Sequence, residues 1–191
     1  ISNHSKSDII QPVLLDPLGR YDPFTSRNFP PPFGFIFWGL KLQNYNFPFK
    51  YLFSMDNMEN GQCGKGAFFI IKRDFFNRLG GFSKDYWMFW EDVDLFKRAL
   101  RKNGKVTFTK EIEVTHLEGS TVSKINIRAN IGETVSRAIY FRKFHKIPRF
   151  MTILFELISA SVLFCLNLLL LRKIAFRFYP SYIRKLTGLL C

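Results

Sequence analysis

The stretch MTILFELISASVLFCLNLLLL, residues 151–171, limits the possible folds more than any other feature of the chain. It runs 21 residues with Glu156 as its one charged side chain. Strands are seldom so long. As a helix at about 1.5 Å per residue it extends about 31 Å, the thickness of a bilayer's hydrocarbon core. Glu156 and Asn167 are costly in such a setting. Three environments stay open: a membrane span, a helix lying at a membrane surface, and a buried helix of a soluble domain. Five basic residues precede the run (Arg137, Arg142, Lys143, Lys146, Arg149) and five follow it (Arg172, Lys173, Arg177, Arg184, Lys185). The positive-inside comparison therefore selects no orientation.

The formal charge of +13 gathers around this run. Residues 121–191 hold 12 Lys/Arg against 2 Asp/Glu, whereas residues 1–60 hold 5 of each. Basic residues wrapped around an apolar run suit an anionic membrane surface. Nucleic-acid binding asks for a basic patch interleaved with aromatics, so no nucleic acid is expected as partner. The 23 Phe exceed what a small soluble core needs and point to a membrane surface or an aromatic-lined pocket. Cys63, Cys165 and Cys191 are far apart, odd in number and without C-x-x-C spacing. Neither a disulfide framework nor a zinc site follows, which fits a reducing compartment.

Upstream, apolar runs alternate with helical patterns. DIIQPVLLD (Asp8–Asp16) reads as a buried strand closed by Asp-Pro. The Pro- and aromatic-rich segment that follows, with Pro30, Pro31 and Pro32 in succession, reads as an extended connection with one short apolar element. MDNMENGQCGKG is a polar, Gly-rich loop. A strand is expected over Ala67–Ile71, then a short helix from about Asp74 stopped by Gly80-Gly81. The next helix starts at Glu91-Asp92-Val93-Asp94. Val93, Phe96, Ala99 and Leu100 make its apolar face, and Gly104 is the expected stop. KVTFTKEIEVTH alternates as half-buried strand up to His116, and a helical pattern runs from Ile125. Strand and helix in alternation predict an α/β layer fold.

Three acids behind the aromatics Tyr86, Trp87, Phe89 and Trp90 have three possible roles. Acids in a first helical turn are favoured by the dipole, by about 0.3–1 kcal/mol, but capping needs only one. Chelation by Asp92-Val93-Asp94 is disfavoured within a helix, where residues i and i+2 point about 200° apart. An acid/base role needs one carboxylate near an acceptor hydroxyl, and flat aromatic rings would give a sugar a surface to lie on.

The stretch GAFFIIKRDFFNRLGGFSKDYWMFWEDVDLFKRALRKNGKVTFTKEIEVTHLEGSTVSK resembles the acceptor-side half of family 2 glycosyltransferases with the GT-A fold, and within them rhamnosyltransferase-like enzymes of bacterial polysaccharide assembly. The resemblance implies that Gly66 and Ala67 lie beside the donor pocket and that Tyr86, Trp87 and Trp90 line the substrate site. By the same likeness Asp92 is the general base, with Glu91 beside it. Asp94 and Arg98 brace the loop, Arg98 being counted with Ser120 among the substrate-binding residues. His116 falls where related enzymes place a metal- or pyrophosphate-facing His; a strand-end His bonded to backbone is the alternative. Ser83-Lys84 stands where the family has Asp-Glu, which leaves the acceptor open.

The architecture so implied is the C-terminal part of a GT-A domain over residues 1–124, followed by a helical, membrane-associated tail over 125–191. The opening ISNHSKSDII reads as a fragment, with the nucleotide-binding half and its metal-holding D-x-D expected upstream of Ile1. The implied function is inverting transfer from a nucleotide-diphosphate sugar to a glycan or lipid-linked acceptor. It would be assisted by Mg2+ or Mn2+ at the cytoplasmic face of the inner membrane, the protein being peripheral or single-span. A non-catalytic, membrane-associated remnant lacking the donor-binding half is the alternative from another class, and the chain by itself is expected to be inactive.

Overall fold

The computed structural model describes residues 5–22, 24–39, 61–117, 127–170, 176 and 178–190, with no side chains given at 37–39. Among these residues the chain is mixed α/β, with three strands and six helices. It divides into two units. The first comprises Ile1–Phe29, Pro48–Lys84 and Glu91–Ser120; the second comprises Pro30–Phe47, Asp85–Trp90 and Thr121–Cys191. The last switch between units falls at 120/121; the boundary expected at 124/125 lies outside the described residues. Two short segments from the first half of the chain also join the second unit, and no run of the sequence announces them.

The first unit is built on strand β1 (Ile9–Leu15), whose first six residues are buried. It lies at the centre of a sheet ordered β2-β1-β3. Strand β3 (Val106–Thr115) runs parallel to it and β2 (Ile70–Ile71) antiparallel. Pro12 interrupts the centre of β1. Proline has no N–H to give the ladder, and the register breaks there: Pro12 faces Thr109 but Val13 faces Glu113, leaving Lys110, Glu111 and Ile112 over. The strand expected over Ala67–Ile71 is only its last two residues, because Gly66, Ala67 and Phe68 are exposed in a turn.

Helix α2 (Arg73–Leu79) ends at Gly80, which is left-handed at φ 79° and donates its N–H to Asn77 O. Helix α3 (Glu91–Arg101) buries Val93, Leu95, Phe96 and Ala99. Its stop is not Gly104 but Asn103, left-handed at φ 56°. Gly104 has another duty, since a Cβ there would meet Phe75 Cζ at 2.2 Å.

In the second unit α1 (Gly34–Gly39), α4 (Ile127–His145), α5 (Arg149–Leu169) and α6 (Tyr179–Thr187) pack together. The expected apolar run is α5, displaced two residues toward the N-terminus with Pro148 as its cap. Residues 125, 126 and 171 lie outside the described part. Phe35 meets Phe141 and Phe155 edge-on at 5.8 and 5.4 Å. Segment 85–90 is held on α4: Trp90 lies 5.1 Å from Tyr140 and 5.9 Å from Phe141 (ring centroids), and Ser136 Oγ donates to Met88 O at 2.7 Å.

Candidate functional site

Asp92, in the first turn of α3, is where three remote pieces of the first unit meet. Its Oδ2 accepts the Gly66 N–H at 2.8 Å and Arg27 Nη2 at 3.3 Å, while Oδ1 accepts the Val93 N–H at 2.7 Å. A carboxylate has about four lone-pair sites, so these three donors leave it room for one more. Its side chain is 14% exposed.

The loop facing Asp92 is fixed from behind. Gln11 of β1 is fully buried; its Nε2 donates to Pro12 O and Phe68 O at 3.0 and 2.9 Å, and its Oε1 accepts the Lys65 N–H at 3.2 Å. Lys65 pairs with Asp22 at 2.6 Å. Arg27 and Cys63 exchange backbone hydrogen bonds at 3.1 and 2.9 Å. Burial pushes the Cys63 thiol up to about 11, so it stays protonated and unreactive. Two glycines allow this closeness. A Cβ on Gly64 would meet Gln11 Oε1 at 2.2 Å and Phe96 Cζ at 2.6 Å; one on Gly66 would meet Asp92 Cβ at 2.9 Å.

The three acids have different surroundings. Asp94 is fully buried and paired with Arg98 Nε at 2.5 Å. Arg98 then donates through Nη1 to Leu79 O at 2.7 Å and through Nη2 to Gly81 O at 2.8 Å, bracing the end of α2. Those bonds occupy all three guanidinium nitrogens with protein groups, which describes a brace better than a substrate ligand. Glu91 has Oε2 buried without a hydrogen-bond partner among the described residues. Burial pushes its carboxyl above the ordinary range; its own backbone amide opposes this, and the charge of Asp92 adds to it. Asp92 and Asp94 thus point to separate partners, as their helical spacing requires, and do not chelate together.

The other expected site residues scatter. Gly66 and Ala67 are exposed in the turn. Tyr86 and Trp90 are buried within the second unit, while Trp87 is 57% exposed with the Arg128 guanidinium 4.9 Å from its ring. Ser120 lies outside the described residues. His116, just past β3, donates its backbone N–H to Leu15 O at 2.8 Å, while its side-chain Nδ1 is buried without a hydrogen-bond partner among the described residues. One such nitrogen does not make a metal site. Among the described residues no three His, Cys, Asp or Glu side chains converge. Arg27 and Gln11 escaped the sequence reading, since nothing in the local pattern ties Arg27 to a residue 65 positions away. The consecutive left-handed residues Phe89 (φ 62°) and Trp90 (φ 67°) escaped it too. Strain of this kind, about 1–3 kcal/mol per residue, gathers at functional sites.

Residues 53–119 match the family described as the N-terminal domain of galactosyltransferase. That segment covers about a third of the chain and includes the loop, α2, α3 and β3 just described. The match is to a glycosyltransferase-type domain and supports a transferase; nothing in it singles out family 2 or rhamnosyl transfer. No curated protein and no solved structure matches the chain.

Proposed function

We propose that the protein is an inverting glycosyltransferase, of the rhamnosyl- or hexosyl-transferring kind, in which Asp92 is the general base. The observation that carries the reading is the position of Asp92. It is a partly exposed acid fixed by three protein donors and held against an exposed Gly66-Ala67 turn, inside the segment that matches a galactosyltransferase family. The acceptor hydroxyl gives its proton to the Asp92 carboxylate as its oxygen bonds the anomeric carbon. The bond from that carbon to the diphosphate oxygen breaks on the opposite side, and the nucleoside diphosphate leaves. Gly66, Arg27 and Val93 keep the carboxylate from turning away, so its open site stays aimed in one direction.

The donor in this reading is dTDP-rhamnose or a UDP-sugar. The acceptor is a glycan or lipid-linked glycan of surface polysaccharide synthesis, met at the cytoplasmic face of the inner membrane. Mg2+ or Mn2+ belongs to the reading as a companion of the donor's diphosphate; no set of described residues holds it, and His116 offers a single nitrogen.

The test is Asp92→Asn in the protein isolated from its own cells, with nucleotide-sugar turnover measured on a membrane extract. The expected result is loss of transfer by roughly a hundredfold or more with donor binding and thermal midpoint kept. Unchanged turnover would end the assignment. A second reading, a non-catalytic membrane-associated module, draws on the same carboxylate's three protein donors, which a purely structural clamp would also need. There the unaltered protein shows no nucleotide-sugar turnover, so Asp92→Asn has none to remove.

A further inference from the structure

Helix α5 is inside out. Its exposed large side chains, Phe150, Leu154, Ile158, Val162, Leu166 and Leu169, with Leu170 just past its end, form one broad stripe that spans about 200° of its circumference at about 100° per residue. Every exposed residue from 150 to 170 is apolar. The polar residues Thr152, Glu156 and Ser159 are instead buried. Glu156 bonds Arg137 of α4 and accepts the Tyr182 hydroxyl of α6 at 2.7 Å; Thr134 and Tyr182 share a hydrogen bond at 3.1 Å. Only 28% of the helix's most apolar stretch is buried, less than a core helix of a soluble bundle buries. Water is a poor solvent for such a stripe, and lipid a good one.

We infer that α5 lies in the plane of an anionic bilayer, stripe down in the acyl region, and does not cross it. Two features argue against a crossing. Helix α6 has nine residues, too few to span, and its Tyr182 and Leu186 cluster with Ala160 at the middle of α5. In an upright α5 that contact would carry the exposed Arg184 and Lys185 to the bilayer's centre, where charge is least tolerated. In the plane, the polar network of Arg137, Glu156 and Tyr182 stays on the protein side. Arg142, Lys143, Lys146 and Arg149, all exposed at the α4–α5 corner, then meet headgroups. That charge selects an anionic surface over a second copy of this equally basic unit.

The face belongs to the second unit alone. Vesicle binding and sugar transfer are read separately, so either can fail without the other. The experiment is co-flotation of the full chain with phosphatidylcholine vesicles, with and without about a third phosphatidylglycerol, expecting about tenfold stronger binding to the anionic ones. Leu154→Gln with Ile158→Gln and Val162→Gln, all surface changes, should cut binding at least about tenfold while helical circular dichroism is kept. Depth needs no such variant. An environment-sensitive dye on the exposed Cys165, and on Leu154→Cys or Val162→Cys in a Cys165→Ser, Cys191→Ser background, should report one shallow depth at all three positions by spin-labelled-lipid quenching. Depth that runs through the bilayer centre along the helix overturns the inference. So does dimerisation without vesicle binding, or full binding by the folded triple variant.

Discussion

Asp92 and Glu91 are neighbours in sequence with opposite circumstances, and each makes its own prediction. At Asp92 the decisive contact is the Gly66 N–H. Gly66→Ala puts a methyl 2.9 Å from Asp92 Cβ and 3.1 Å from Oδ2, so the carboxylate must turn. Transfer should fall by about tenfold or more while the turn, being exposed, costs little stability; kinetics beside a thermal melt would show this. Glu91 is the pH-sensitive one. Its folded-state value is raised above 4.5 by burial, so the folded chain holds that proton more tightly than the unfolded chain. The resulting stabilisation is full below the ordinary value and is lost as pH rises through the raised one. Glu91→Gln should therefore raise the thermal midpoint relative to wild type at about pH 7 but not at about pH 4. A difference that is constant with pH would contradict it. The sequence showed that three acids stood together and that helical spacing would separate Asp92 from Asp94. It could not show that Arg27 pairs with Asp92 or that Glu91 Oε2 is buried without a hydrogen-bond partner among the described residues, because those follow from contacts between residues far apart in the chain.

Among elements, α2 and α3 were the most legible, since local chemistry writes them: an apolar period of 3.6, acids in the first turn, Gly80-Gly81 at a stop. The misreading of Gly104 is instructive for the same reason. Glycine after a helix usually supplies the left-handed residue, but here Asn103 does so and Gly104 makes space for the Phe75 ring. Gly104→Ala should cost about 1–3 kcal/mol in urea unfolding, and Asn103→Gly almost nothing or a slight gain. Equal effects at the two positions would refute this division of labour. The shortened β2 and the left-handed Phe89-Trp90 pair had no local signal, since aromatic runs carry neither a strand period nor a turn signature.

For the molecule as a whole, the sequence marked the basic, apolar C-terminal third but not the recruitment of 30–47 and 85–90 into its unit. Packing of Phe35 and Trp90 against α4 decides that, and burial of aromatics is not encoded by position. The Arg137–Glu156 pair is this unit's most exacting feature. Glu156→Gln should destabilise it by about 3–5 kcal/mol because Arg137, 1% exposed, is left buried beside a neutral amide. The double change Arg137→Met with Glu156→Leu should recover most of that loss, as judged by helical signal against denaturant. The Gly66 turn has a different consequence, in time. Its amide is in an exposed turn yet bonded to a residue 26 positions on, and the Lys65 amide beside it to one 54 positions back. The first bond needs α3 in place and the second β1, so both form only once the two elements have arrived, and the turn should be among the last parts of its unit to set during folding. Once set, its amides should exchange with deuterium far more slowly than their exposure suggests.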